Sequence, residues 1–299
     1  MSHKMSERMK RMFLMAVLSM LVGILCAQDI YVYSVIGQAE KQENGKWVIL
    51  QKRNALKMDD VVRVADNSAL SIIDRKAEKI YSISQTNSKK VSELIANYKG
   101  KQSYAANFVS HASKSLFNGG TDKISNDAAG CTYRGDIIEN DIAKALIAKA
   151  KGVSMSNFNN ATTDYQISFE ILDRESKQPL GNEVVIDKQA IFRIKNMSDV
   201  PLYVNILDIN QLNEKYVCLP IDDATTMSHL LIPANCTIDL VAYPIEFAEP
   251  KGVDNLMLIA TEVPYDLRQV KKYLEKVDPA SVKSSSYPVG VYSKNITVK

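Results

Sequence analysis

Apolar positions along the first part of the chain come in short bursts rich in β-branched and aromatic residues. These are Ile30–Ile36, Trp47–Leu50, Val61–Val64, Leu70–Ile73 and Ile80–Ile83. Each burst has the length of a strand, and turn-forming pairs such as Asp66-Asn67 and Asp74-Arg75 separate them. Residues 28–86 therefore predict a small β-domain, a five-stranded barrel or sandwich. Asn44-Gly45 precedes Trp47, and both residues accept the positive φ of a tight turn, which predicts a hairpin at that point.

The period then changes. Val91, Leu94, Ile95 and Tyr98 fall at helical spacing, and so do Tyr104, Phe108, Val109, Ala112 and Leu116. Asn87 or Ser88 is the expected cap, Gly100 divides the run, and Gly119-Gly120 ends it. After a loop over 120–135, Ile137–Lys151 predicts a second helix with Ile138, Ile142, Leu146 and Ile147 on one face. Residues 87–162 are thus expected to form a helical connector that closes with a Ser- and Asn-rich linker at 153–162.

Strand patterns return at residue 163. Tyr165, Ile167, Phe169 and Ile171 alternate with polar residues, as a half-buried strand does. Further runs follow at 190–195, 202–209, 215–219, 229–232, 237–243 and 255–261, with a last one from Val289 to Val298. One helix interrupts them, capped by Asp266 and running to Lys276, with Leu267, Val270, Leu274 and Val277 on one side. The expected fold class is α+β and mostly β: the small β-domain, the helical connector, then an antiparallel sandwich with one appended helix over 163–299.

The first 27 residues carry a different signal. Lys4, Arg8, Lys10 and Arg11 precede an uncharged run from Met12 to Cys26, and Ala27-Gln28 offers a small-residue exit. A basic start, a short apolar core and a small-residue exit are the parts of a cleavable signal peptide, so residues 1–27 are expected to direct export to the periplasm, the outer surface or the medium. Of the 37 Lys/Arg and 34 Asp/Glu, four and one lie in that segment, so the remainder is formally neutral. Neutrality argues against a generic nucleic-acid binder. No later run is long and apolar enough to span a bilayer.

The second half resembles a known family by the order of its elements. Phe192-Arg193-Ile194-Lys195-Asn196 is followed by Pro201-Leu202-Tyr203-Val204-Asn205-Ile206-Leu207-Asp208-Ile209-Asn210. A strand ending in proline comes next (Tyr216–Pro220), then Ile232-Pro233-Ala234, Pro250-Lys251-Gly252 and Leu256–Thr261. This order resembles the bacterial domain of unknown function 4384, with Ile221 and Asn235 departing from its usual turn residues. The first domain is similar, more loosely, to the periplasmic β-domain of ferric-citrate-type sensor regulators, through Gly37, Trp47–Leu50, Leu56, Asp60, Val62, Val64, Ser68 and Leu70. The resemblance implies an accessory domain with no known chemistry, which in that family often accompanies a caspase-like protease or a kinase module.

Candidate chemistry is sparse. After residue 27 the cysteines are Cys131, Cys218 and Cys236, and the histidines are His111 and His229. An odd cysteine count argues against a disulfide framework. Cys218 and Cys236 are read as buried thiols, with pairing between them the alternative. A Cys–His nucleophile needs imidazole within hydrogen-bond reach of the thiol, which leaves His111 with Cys131, or His229 with Cys218 or Cys236. There is no C-x-x-C, no H-E-x-x-H, no phosphate-cradling loop and no calcium loop. Asp222-Asp223 is read as a solvated turn, Arg134-Gly135-Asp136 as a helix start, and Tyr31, Tyr33, Trp47 and Tyr81 as cross-strand packing; the alternatives are a weak metal site, an integrin-type adhesion motif and a stacking platform.

No catalytic, cofactor-binding or metal residue is therefore assigned. The expected function is a non-enzymatic binding, sensor or adaptor protein of the bacterial cell envelope with a protein partner. The alternatives are a thiol hydrolase using Cys131 and His111, and a surface adhesion protein.

Overall fold

The computed structural model describes residues 29–98, 135–150, 164–219, 231–282 and 284–299. The expected signal peptide, the helix expected through Tyr104–Leu116 and the linker at 153–162 lie outside the described residues. Antiparallel sheets dominate the rest, helices are few and no barrel closes, so the fold is α+β and mostly β.

The first β-unit has eight strands where the sequence predicted five. They are β1 (Ile30–Ile36), β2 (Ala39–Glu43), β3 (Lys46–Ile49), β4 (Ala55–Leu56), β5 (Val61–Val64), β6 (Ala69–Asp74), β7 (Lys79–Ile83) and β8 (Thr86–Lys90). They form two four-stranded sheets, in the orders β4-β1-β6-β7 and β3-β2-β5-β8. Val32, Leu70 and Ile72 of the first sheet pack on Val62 and Val64 of the second. The predicted hairpin is present between β2 and β3, with φ of 50° at Asn44 and 77° at Gly45.

The unpredicted strands are those without apolar alternation. β8 reads Thr-Asn-Ser-Lys-Lys and is paired along β5. Pairing with β5 keeps this stretch extended as far as Lys90, so the expected helix cap at Asn87 or Ser88 does not form. Helix α1 (Val91–Ala96) starts only where β8 ends, with Lys90 at its N-cap and no side-chain cap bond.

The second β-unit begins with helix α2 (Gly135–Ala150). Its strands are β9 (Ile167–Asp173), β10 (Glu183–Val184), β11 (Gln189–Asn196), β12 (Leu202–Ile209), β13 (Lys215–Leu219), β14 (Leu231–Ile232), β15 (Cys236–Asp239), β16 (Ile245–Glu246), β17 (Gly252–Thr261) and β18 (Gly290–Val298), with helix α3 (Leu267–Lys276) before the last. The larger sheet runs β10-β18-β17-β12-β13, with β14 also on β12. The smaller sheet centres on β11, flanked by β9 on one side and by β15 and β16 on the other. All pairs are antiparallel except β10 with β18.

The larger sheet is buried on both faces. Its inner face meets the smaller sheet through Val204, Ile206 and Leu258 against Phe169 and Phe192. The ring of Phe169 sits edge-on to Phe192 and to Tyr292, each 5.5 Å between centroids. Burying one such ring stabilises the fold by about 3 kcal/mol. Its outer face is covered by α2 and α3, where Ile142, Leu146 and Val270 pack on Leu207, Met257 and Ile259. Two helices, rather than the single one expected, therefore belong to this layer.

Glu139 of α2 accepts the Asp266 backbone N–H at 3.0 Å, and Asp266 caps α3 by accepting from the Arg268 N–H at 2.9 Å. One buried carboxylate thus ties the two helices at the start of α3.

The two β-units share buried side chains. Tyr33, Ile73 and Ile80 of the first pack with Tyr203 and Leu231 of the second. Ile36 and Ala69 join the core of the second unit. The Asp239 N–H donates to the Asn67 carbonyl across the same boundary at 3.4 Å.

Candidate functional site

A cleft forms where the chain crosses between the two sheets of the first unit. Strand β7 ends at Ile83, Ser84-Gln85 makes the crossing, and β8 begins at Thr86. The space left beside this crossing has a volume of about 250 Å³. Ser82, Lys89, Glu93 and Asn97 wall it on the side of the first unit, and the Pro233-Ala234 turn of the second closes it. Proline and alanine there present an apolar lip, whereas the opposite wall is polar.

Several polar groups of the cleft are already engaged. The Tyr98 hydroxyl accepts the Ser82 backbone N–H, and burial pushes the phenol above its ordinary pKa. Its ring stands edge-on to Tyr81 at 5.3 Å. Asn97 donates to the Glu93 carbonyl at 2.9 Å. The Ser84 hydroxyl hydrogen-bonds the Cys236 thiol, whose pKa burial raises. Lys89 and Gln85 are exposed at the mouth. Hydroxyls, two amides, one cation and one carboxylate suit a polar ligand held by hydrogen bonds; a cleft of this volume takes a few residues of a peptide or one small polar group.

A second cluster is chemically unusual. Asp208 on β12 and Asp254 on β17 lie on the inner face of the larger sheet, diagonal to each other in the β12–β17 register. Each has a buried carboxylate oxygen without a hydrogen-bond partner. Burial, and then the neighbouring Asp254, push the Asp208 carboxyl up to about 7. Burial also raises Asp254. The thiol of Cys218 sits beside them and is driven far above the ordinary cysteine range, first by burial and then by the two carboxyls. A thiol held protonated in this way is a poor nucleophile.

The cysteines expected as thiols are thiols: Cys218 and Cys236 are both free and half-buried, so the alternative disulfide between them is not formed. His111, His229, Cys131, Arg134 and Asp222-Asp223 lie outside the described residues, and with them a member of each of the three Cys–His pairings, the first residue of the Arg134-Gly135-Asp136 motif and the Asp222-Asp223 turn. Among the described residues no group of three or more His, Cys, Asp or Glu side chains is placed to hold a metal ion.

The four aromatic residues considered as a platform do not share a face. Tyr33 and Tyr31 point toward the second unit. Tyr81 pairs across the strands with Ile72, which faces the first core, and packs on Tyr98. Trp47 lies in the other sheet, with the Arg63 guanidinium 4.2 Å above its ring.

Neither the cleft nor the acidic pair was assigned from the sequence. The cleft joins a crossover at 82–86 to a turn at 233–234, and such a meeting leaves no local pattern. Asp208 and Asp254 did leave a trace: Asp208 ends the mostly apolar stretch Leu202–Leu207, and Asp254 stands two residues before the apolar run Leu256–Ala260. No protein-family model matches the chain, and no curated protein matches it in sequence.

Proposed function

We propose that this chain is an exported binding protein, a sensor or adaptor of the bacterial cell envelope that performs no chemistry and acts through a protein partner. The observation that carries the proposal is the junction cleft. Clefts between packed units are favoured binding places, because two surfaces converge there without either having to unfold. The shared burial of Tyr33, Ile73, Ile80, Tyr203 and Leu231 keeps its two walls in register, so a partner meets a preformed surface.

The raised thiol pKa values of Cys218 and Cys236 support the non-enzymatic side of the proposal, since neither is poised as a thiolate. The resemblance of residues 163–299 to domain of unknown function 4384 supports the accessory role, and the basic-then-apolar pattern of residues 1–27 supports export.

The test is site-directed photocrosslinking in living cells. A photoreactive side chain at Lys89, at the mouth of the cleft, is expected to capture one recurring protein. The same group at Lys272, on the exposed face of α3, is expected to capture none. Identical adducts from both positions, or none from Lys89, would reject the cleft as the binding surface.

A further inference from the structure

The free edges of the sheets are protected unequally. Strands β4, β10, β14 and β16 are two residues each, too short to template a partner. Strand β8 carries Lys89 and Lys90, and β13 begins with Lys215. On β9, Glu170 is engaged by Lys195 at 2.7 Å. Strand β3 also begins with a lysine, Lys46, but Trp47, Val48 and Ile49 follow it without a further charge. It is the end strand of its sheet, and Val48 and Ile49 are 44% and 61% exposed.

The hydrogen-bond phase of β3 defines what can pair with it. Leu50 donates to the Ala39 carbonyl at 2.8 Å, and Lys46 and Glu43 close the two-residue hairpin. In an antiparallel ladder, bonded residues alternate, so 46, 48 and 50 turn their backbone groups toward β2. Trp47 and Ile49 turn theirs toward the open side. Beyond them, the Gln51 N–H is taken by the Asn54 side chain at 2.7 Å, and Gly45 belongs to the turn.

We propose that β3 is a homodimerisation edge, which pairs antiparallel with β3 of a second copy of this chain in the register Trp47 to Ile49 and Val48 to Val48. Only this two-fold register engages all the outward backbone groups of 47 and 49 in both copies at once. It sets Trp47 opposite Ile49 on one face, an aromatic against a β-branched side chain, and the two Val48 side chains against each other on the opposite face. It keeps the two Lys46 side chains at opposite ends. It leaves Lys46 of each copy nearest the end where the other carries Lys52 and Arg53, a like-charge approach that weakens the pairing. The two four-stranded sheets become one continuous sheet across the axis. Two short strands bury far less than the roughly 1,200 Å² of a stable interface, so the association is weak and concentration-dependent.

Cysteine crosslinking reads the register directly. Residue 48 faces itself as a non-hydrogen-bonded pair, with Cα atoms about 4.5 Å apart, within disulfide range. Residue 49 is offset from its own copy by two positions, beyond the roughly 7 Å limit. Under mild oxidation, Val48→Cys is expected to yield a covalent dimer several-fold above the unaltered chain, whose native thiols set the background. Ile49→Cys is expected to stay at background. In sedimentation velocity the unaltered chain is expected to shift toward dimer as concentration rises, and Val48→Lys to abolish the shift while leaving the circular dichroism spectrum unchanged. The proposal is overturned if Val48→Cys crosslinks no more than Ile49→Cys. It is equally overturned if the chain sediments as a monomer at every concentration, in which case any strand captured at this edge is foreign.

Discussion

The two sheets of the second β-unit treat their acidic residues in opposite ways. On the outward side of the smaller sheet every acid described has donors. Asp239 receives both arms of Arg193, at 2.6 and 2.9 Å, and Glu170 receives Lys195. At the end of β9, Asp173 is held well below the usual carboxylate range, first by Lys188 and then by the Ser176 backbone N–H. On the inner face of the larger sheet, Asp208 and Asp254 face apolar neighbours and each other, and each keeps an unpartnered oxygen. The chemistry of the carboxyl is the same in both places; what differs is whether the facing strand supplies a cation or a second acid. An acid with donors stabilises the fold as an anion, whereas one without donors is tolerated chiefly as a neutral group.

The largest effect is expected from breaking the supplied side. Arg193→Ala strips Asp239 of both charged donors while the carboxylate stays largely buried, and is expected to cost about 3 kcal/mol in urea unfolding at pH 7.

The unsupplied side gives the next effect, with the opposite sign. Asp208 holds its proton up to about 7 when folded but releases it near 3.8 when unfolded. Its contribution is therefore fully present below pH 4 and is lost as pH rises toward 7, because the folded state then binds the extra proton. Asp208→Asn keeps the shape and removes the titration. It is expected to raise stability at pH 8 by about 2 kcal/mol, roughly half the full conversion of the shift because the residue keeps some solvent contact. It should also flatten the stability profile between pH 4 and 7. Unfolding series from pH 4 to 8 read both, and an unchanged slope would show that Asp208 titrates normally.

The smallest effect belongs to the solvated pair. Lys195→Ala removes the partner of Glu170, but both side chains are more than a third exposed, so the change is expected to stay within about 0.5 kcal/mol.

The sequence made this architecture legible wherever burial imposed a period. β12 and β13 occupy the residues predicted for them, and α3 starts on the predicted Asp266 cap, because its Leu267 and Val270 face the sheet. Legibility failed where backbone pairing alone decides. β8 has no apolar side chain to announce it, and β4 and β10 are two-residue bridges. It failed again where partners are remote. The environment of Asp208 is set by burial between the two sheets and then by Asp254, which no spacing rule links to it, and the cleft exists only because a turn at 233–234 lands beside a crossover at 84–85. The placement of α2 was hidden for the same reason: its apolar face was evident, but the surface receiving it comes from strands that follow it in the chain.

The order of strands in the larger sheet carries a consequence for biosynthesis. Strand β18 lies between β10 and β17, and the Lys299 N–H donates to the Val184 carbonyl at 2.8 Å. A ribosome that has delivered everything through Thr261 has supplied β10 and β17 but not the strand that joins them. The sheet therefore cannot close during synthesis of the earlier strands, and the edge of β17 waits unpaired until residues 290–298 emerge. Closure of this kind is slowed by the distant pairing it requires. It also leaves the nascent chain open to threading or to chaperone capture for as long as that last strand is withheld.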